Sequence, residues 1–490
     1  MSLSEDCILE ILEYLSDDKK SLYSCLLTNR LFCRFAVKIL WRDPWIEYIN
    51  SNEKNYWNIL GGTITKCFSQ EIKQTSSLLK KHKQIHLLKQ PPLFNYVLHI
   101  QIITVRVINE LIKVIFDDID NKKIEQKFNE TFWLFFIKRC PKIKSLDIPK
   151  FNLFIYPESK KSLSSLSTLK VNVSYPKEII LELSKNVHTL KRIEFHLDDI
   201  SKNSYNNDTI KTLILSQKNL REIKFIFVKG HTPFFNKKIT KHLSQSLRTL
   251  ELCNCTYLSV QTISNFTNLT ELKICFDSLR YNGVGFHNLK EISLPKLEIL
   301  YLISFREGDF PFLIKLIEST KGSLKILNVR AYKLSAISLP LSLIGFYLHT
   351  IKTTCPNIEV LSVWLIPEMS LEDFEDLLKS CSKIRTIIIH SITSFDNIFS
   401  KRVLHLLAIE SSSFFLKNIH LIGGWKFSNL ELEKFFDLWK EMKRKPLKFF
   451  SNNNIFYIYI KSNHIIKYSK QYICNICPKD KVFDHSKYFL

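Results

Sequence analysis

The sequence predicts an α/β chain: a small helical unit at the N-terminus, then a long stack of strand–helix coils. Short amphipathic helices crowd the first 45 residues, and an apolar triplet returns in order from residue 143 to residue 421. Between the triplets the readable segments keep helical spacing, as in Leu371, Phe374, Leu377 and Leu378, or Leu432, Phe435, Phe436 and Trp439.

In the first helix Ile8, Ile11, Leu12 and Leu15 form one apolar stripe, which Ser16-Asp17-Asp18 ends. The second places Leu22, Cys25 and Leu26 on one face. The third runs from about Asn29 through Leu31, Phe32, Phe35, Ala36 and Ile39 to Trp41, where Asp43-Pro44 stops it. Three short helices in so few residues cannot bury every apolar face against one another. The leftover apolar side chains are a candidate docking surface.

The strings Leu3-Ser4, Asp6-Cys7-Ile8, Glu10-Ile11, Ser21-Leu22, Cys25-Leu26-Leu27-Thr28-Asn29-Arg30-Leu31-Phe32-Cys33-Arg34 and Ile39-Leu40-Trp41 resemble an F-box. That family's helical trio docks on the Skp-type adaptor of cullin–RING ubiquitin ligases. The resemblance implies adaptor contacts from Leu3, Cys7, Ile8, Ile11, Leu22, Leu26, Asn29, Arg30 and Trp41. Two positions depart from the family pattern: Ser4 stands where Pro is typical, and Phe32 where Trp is common. Without the Pro the turn entering the first helix is no longer pre-set, so a lower adaptor affinity is expected. Trp41-Arg42-Asp43-Pro44-Trp45 and Leu93-Phe94-Asn95-Tyr96 also resemble the large F-box sets of some fungi.

By this resemblance residues 1–45 are expected to be the F-box helices, and residues 46–135 read as a mixed connector packing them on the stack of coils. Gln90-Pro91-Pro92 marks a break within it.

Residues 136–450 hold the repeats. The unit is apolar-x-x-apolar-x-apolar, and it begins with Ile143-Leu146-Ile148, Leu166-Leu169-Val171, Leu190-Ile193-Phe195 and Leu220-Ile223-Phe225. It continues with Leu247-Leu250-Leu252, Leu269-Leu272-Ile274, Leu297-Leu300-Leu302 and Leu324-Leu327-Val329. Ile358-Leu361-Val363, Ile384-Ile387-Ile389 and Leu416-Ile419-Leu421 complete eleven units, with Leu289-Ile292-Leu294 as a candidate extra one. This is a degenerate leucine-rich-repeat signature, which specifies a curved parallel sheet with helices on the convex side. Cys140-Pro141 and Cys355-Pro356, each just ahead of a strand, resemble the cysteine-containing repeats of F-box/leucine-rich-repeat proteins.

Period-2 alternation sends the residues between the triplet positions to the open face. Its basic members, Lys170, Arg192, Lys224, Lys273 and Arg330, are balanced by Asp147, Glu194, Glu222, Glu251 and Glu271. Tyr301, Ile303, Trp364, Ile388, His390 and His420 dominate the second half, and exposed aromatics among polar residues suit protein binding. They are the candidate substrate-binding residues. Residues 451–490 read as a capping segment with a strand-like run, Ile455 to Ile460. Its Cys474, Cys477 and His485 make at most half a zinc site, so no metal is expected.

The net charge of +23 raises the question of a nucleic-acid partner. Of the 70 basic residues 56 are Lys and 14 are Arg, the poorer mixture for phosphate or base recognition. A nucleic-acid groove also needs a basic stripe, which the balanced face lacks. Ten glycines in 490 residues leave no P-loop, dinucleotide fingerprint or nucleophile elbow, and no HExxH occurs. No enzyme chemistry and no cofactor are expected. Apolar runs too short to span a bilayer, an acidic N-terminus and scattered cysteines point to a cytoplasmic or nuclear chain without a membrane partner.

The resemblance implies a non-catalytic, substrate-recognition subunit of an SCF-type ligase. Its partners would be the adaptor, through it the cullin scaffold and RING subunit, and an unidentified target protein. The alternatives are a leucine-rich interaction scaffold outside any ligase and a basic nucleic-acid-binding solenoid.

Overall fold

The computed structural model describes residues 4–46, 54–68, 92–116, 122–197, 207–227, 235–255, 260–276, 292–305, 309–331, 341–367, 370–391, 396–411, 415–445 and 447–451. The chain divides into two compact units, residues 1–220 and 221–490.

The first unit opens with three helices: α1 (Glu5–Tyr14), α2 (Lys19–Leu26) and α3 (Arg30–Leu40). Each begins at a side chain that satisfies a free backbone donor. Asp18 Oδ1 accepts from Ser21 N–H at 3.1 Å, and Asn29 Oδ1 accepts from Leu31 and Phe32 N–H at 3.0 and 2.9 Å. Ser4 is the N-cap of α1, with an extended backbone and its Oγ accepting from Cys7 N–H at 3.3 Å. The loss of a pre-set turn is therefore offset locally by a cap that Pro could not supply. Ile8, Leu12, Leu22, Phe35, Ala36 and Ile39 close the core of the trio. The Glu13 carboxylate and Arg42 guanidinium pair through both arms, fastening α1 to the end of α3.

After α4 (Lys54–Cys67) comes β1 (Ile102–Ile103), inside the segment expected to be a connector. It pairs in parallel with β2 (Ser145–Asp147), through Ile102↔Ser145 and Ile103↔Leu146, so the ladder begins one coil earlier than the triplets suggest. The trio is tied to this strand. Arg42 C=O accepts from Gln101 N–H at 2.9 Å, and Trp45 Nε1–H donates to Ile102 C=O at 2.8 Å. Two residues of apolar period are too short a signal to betray a strand. Helices α5 (Val105–Phe116), α6 (Lys122–Arg139), α7 (Glu158–Ser162), α8 (Lys177–Asn186) and α9 (Asn207–Leu215) alternate with β2, β3 (Thr168–Asn172) and β4 (Arg192–Leu197).

The second unit continues the alternation with β5 (Glu222–Phe227), α10 (Lys237–Leu243), β6 (Thr249–Cys255), α11 (Val260–Ser264), β7 (Glu271–Phe276) and β8 (Ile299–Phe305). Next come α12 (Phe310–Ser319), β9 (Ile326–Ala331), α13 (Leu341–Thr354), β10 (Val360–Leu365), α14 (Leu371–Ser380) and β11 (Thr386–Ser391). α15 (Asn397–Ile409), β12 (Asn418–Ile422), α16 (Asn429–Glu441) and β13 (Lys448–Ser451) finish it. Within each unit every strand pairs in parallel with the next in sequence. Each unit is an α/β solenoid of leucine-rich-repeat type. Every residue of the eleven triplets is buried, none more than 4% exposed.

A backbone relay adds to that packing. Ahead of several strands one carbonyl accepts two N–H groups from the next coil: Arg248 C=O takes Thr270 and Glu271, Thr270 takes Glu298 and Ile299, and Glu298 takes Lys325 and Ile326. The candidate extra triplet is not a coil: Ile292 and Leu294 lie in no strand, and Leu289 is outside the described residues. So are Ile455 to Ile460, Cys474, Cys477 and His485.

Near the end, Arg444 is buried and closes the α15 C-terminus. Its Nε donates to Ala408 C=O at 2.9 Å and one Nη to Ser411 C=O at 2.7 Å. Arg444→Ala should therefore lower stability by about 2–3 kcal/mol, since two buried carbonyls lose charge-assisted donors. Urea denaturation measures this; an unchanged midpoint would show that water replaces the guanidinium at no cost.

Candidate functional site

The trio and the open sheet face each offer a surface. In the trio, the nine adaptor positions implied by the F-box resemblance fall into distinct environments. Ile8 and Leu22 are buried in the trio's own core and are withdrawn from any partner. Asn29 caps α3, and Trp41 is engaged with Tyr96, their ring centroids 4.3 Å apart. Leu26 is partly buried, whereas Cys7, Ile11 and Arg30 are exposed; Leu3 is outside the described residues. The correction for Ile8 and Leu22 is physical: a trio this small needs its central stripe for itself.

The apolar side chains the trio leaves exposed are instead Ile11 (48% exposed) and Tyr14 (85%) on α1, Tyr23 on α2, and Leu27 (89%) just after it. Helical spacing carries the signal that finds them. At about 100° per residue, Ile11 lies about 60° round from Ile8 on the flank of the Ile8–Leu12–Leu15 stripe and Tyr14 about 60° further, so the apolar arc is wider than the buried arc.

On the open face the register sets charges side by side. Asp147, Lys170 and Glu194 are neighbours across β2, β3 and β4, and Lys224, Glu251 and Lys273 across β5, β6 and β7. They pair: Lys170 with Glu194 at 3.8 Å, Lys224 with Glu251 at 2.8 Å, and Lys273 with Glu271 at 2.6 Å. Burial pushes the Asp147 carboxyl up, with Lys170 opposing, while its Oδ2 accepts from Val105 N–H at 3.3 Å. Alternating charge thus neutralises this part of the face laterally.

Further along, the six candidate substrate residues divide. Tyr301 and Ile303 remain accessible; the Lys273 ammonium sits 5.3 Å from the Tyr301 ring centre, and Ile303 is 40% exposed. Trp364, Ile388, His390 and His420 are buried, which corrects the expectation that they lie open to a partner. Trp364 packs on Phe310 of α12 and Tyr347 of α13, with centroids 5.3 and 5.5 Å away. His390 stacks on Trp364 at 5.2 Å and His420 on Phe450 at 4.4 Å, and Ile388 lies in register between Ser362 and His420. Strict in–out alternation fails here because both faces of β10 and β11 are covered.

Burial, followed by the positive field of Arg330, lowers the His390 pKa to about 3, against a smaller opposing effect of the Val329 backbone. The unfolded chain takes a proton below about pH 6.5 and the folded chain does not until about pH 3. The resulting stability is complete above pH 6.5 and falls by about 1.4 kcal/mol per pH unit as pH drops toward 3. His390→Gln should flatten that acid slope in urea denaturations at successive pH values; an unchanged slope would place the titration elsewhere.

Among the described residues no helix is long and apolar enough to cross a membrane, and no group of three or more His, Cys, Asp or Glu could hold a metal. No family model matches the sequence, and no curated protein matches it. A solved structure described as "Crystal structure of TLR13-ssRNA13 complex" is similar at 18% identity, over 64% of this chain and 40% of that one, with a TM-score of 0.40. The match therefore spans less than half of that protein.

Proposed function

We propose that this chain is the substrate-recognition subunit of an SCF-type ubiquitin ligase, its helical trio held by a Skp-type adaptor and its sheet face holding a target protein. The observation that carries the reading is the exposure of the large apolar side chains Ile11, Tyr14 and Leu27 on a trio whose sequence resembles an F-box. Large apolar side chains left in water on so small a unit fit a partner that covers them. The sheet face supports the second half of the reading: Lys170, Lys224 and Lys273 on it have acidic partners, and beside them stand the accessible Tyr301 and Ile303. A paired face suits a protein segment better than a polyanion, which needs unpaired cations along its length.

In this reading the chain makes and breaks no bonds. It supplies proximity, converting the encounter between target and charged conjugating enzyme into a nearly intramolecular one. Calorimetric titration of the purified full-length chain with a Skp-type adaptor tests the proposal. Saturable binding at one site per chain is the result expected. No binding by the folded chain would overturn the ligase reading and leave a repeat scaffold.

A further inference from the structure

The β9–β10 ladder stops early. It holds Ile326↔Val360 and Leu327↔Leu361, although β9 continues to Ala331 and β10 to Leu365. Where it stops, side chains take over the backbone groups. Ser362 Oγ accepts from Val329 N–H at 3.2 Å, and Tyr347 donates from its hydroxyl to Ser362 C=O at 2.6 Å.

Arg330, Trp364 and His390 stand beside this splay, the last held on one side by the Val329 backbone. Arg330 follows Val329 directly and stands in register with the accessible Ile303; burial draws its guanidinium pKa down, and no described carboxylate pairs with it. Trp364 is 1% exposed and its Nε1–H, a donor only, has no acceptor among the described residues; the His390 ring stacked on it leaves Nε2 likewise without a partner among them. A desolvated cation and an unused buried donor are costly to the fold alone. Both are what an incoming acceptor would repair. Elsewhere on this face Lys170, Lys224 and Lys273 have acidic partners, so Arg330 departs from the local rule.

We propose that Arg330 and Trp364 receive one carboxylate from a target segment laid on this face, an Asp or Glu side chain or a chain terminus. The proposal rests on the reading of the sheet as a target-binding surface. The charge count selects the ligand. Arg330 brings one positive charge, and His390, whose pKa lies near 3, brings none at neutral pH. A carboxylate matches that single charge through two oxygens, whereas a phosphate near −2 would carry an uncompensated charge into a site with little water.

The test uses full-length protein labelled with ¹⁵N-tryptophan, the Trp364 indole resonance being assigned by its loss in Trp364→Phe. The probe is acetyl-Gly-Glu-Gly-amide, run against its Gln and phosphoserine counterparts at equal ionic strength. The Glu peptide should move the Trp364 indole saturably, the Gln peptide should not, and the phosphoserine peptide should bind more weakly. Arg330→Gln should weaken the response tenfold or more, with the remaining tryptophan indoles unmoved as proof of folding. No movement of the Trp364 indole, or the same response in Arg330→Gln, would overturn the proposal; a stronger response to phosphoserine would overturn the choice of carboxylate. Arg330→Gln should also leave adaptor binding intact, so a failure of the adaptor titration and a failure here remain separate results.

Discussion

Ile11→Asp combined with Leu27→Asp is expected to abolish adaptor binding while leaving the unfolding midpoint of the full chain where it was. Leu27 is 89% exposed and Ile11 about half, so the trio gains little from either in isolation. If an adaptor buries them, each loses about 1.5–3 kcal/mol of apolar transfer, and each new carboxylate adds a desolvation cost. Together these exceed about 4 kcal/mol, roughly a thousandfold in Kd. Leu22→Ala would also reduce binding, but by another route. Leu22 is fully buried in the trio core, so its truncation leaves a cavity worth about 2–5 kcal/mol and loosens the helices themselves. Calorimetry and a melting curve on both variants separate the two. An unchanged Kd in the double Asp variant would show that the adaptor uses some other surface of the trio, or none.

Trp364→Ala should cost the fold about 3–5 kcal/mol, the range for removing a fully buried large aromatic. Its ring is enclosed by Phe310, Tyr347 and His390, with centroids 5.2–5.5 Å away, and two of these sit on helices behind the sheet. Urea denaturation followed by circular dichroism reads the loss directly. Tyr301→Ala is expected to cost far less, because Tyr301 is partly exposed. Loss of target capture in Trp364→Ala would therefore report unfolding together with any lost contact, and Tyr301, Ile303 and Arg330 are the positions at which capture itself can be tested. A Trp364→Ala chain as stable as the parent would contradict the packed environment.

The triplets were legible because a stacked coil repeats one demand: three inward positions must be apolar in each turn, whatever else changes. That demand survives in Leu247-Leu250-Leu252 and in the more degenerate Ile384-Ile387-Ile389 alike. The N-terminal trio was legible for the same reason, since Ile8 and Leu12 keep helical spacing in α1, and Leu22 and Leu26 in α2. The strand at Ile102–Ile103 was not, because its pairing comes from Arg42, Gln101 and Ser145, residues with no shared local pattern.

The pattern along the chain dictates which residues line the solenoid core, how many triplet coils succeed one another, and that the open face carries balanced charge. Tertiary structure alone decided which of the other residues water can reach. Ile8 and Ile11 are both apolar and one turn apart, yet one is core and the other surface. Trp364 has the alternation of an exposed residue and is buried, because the ladder beside it opens at Ser362 and helix side chains fill the space. Periodicity reports which face of its own element a residue occupies. Whether that face is then covered depends on residues distant in the chain, and no local pattern records them.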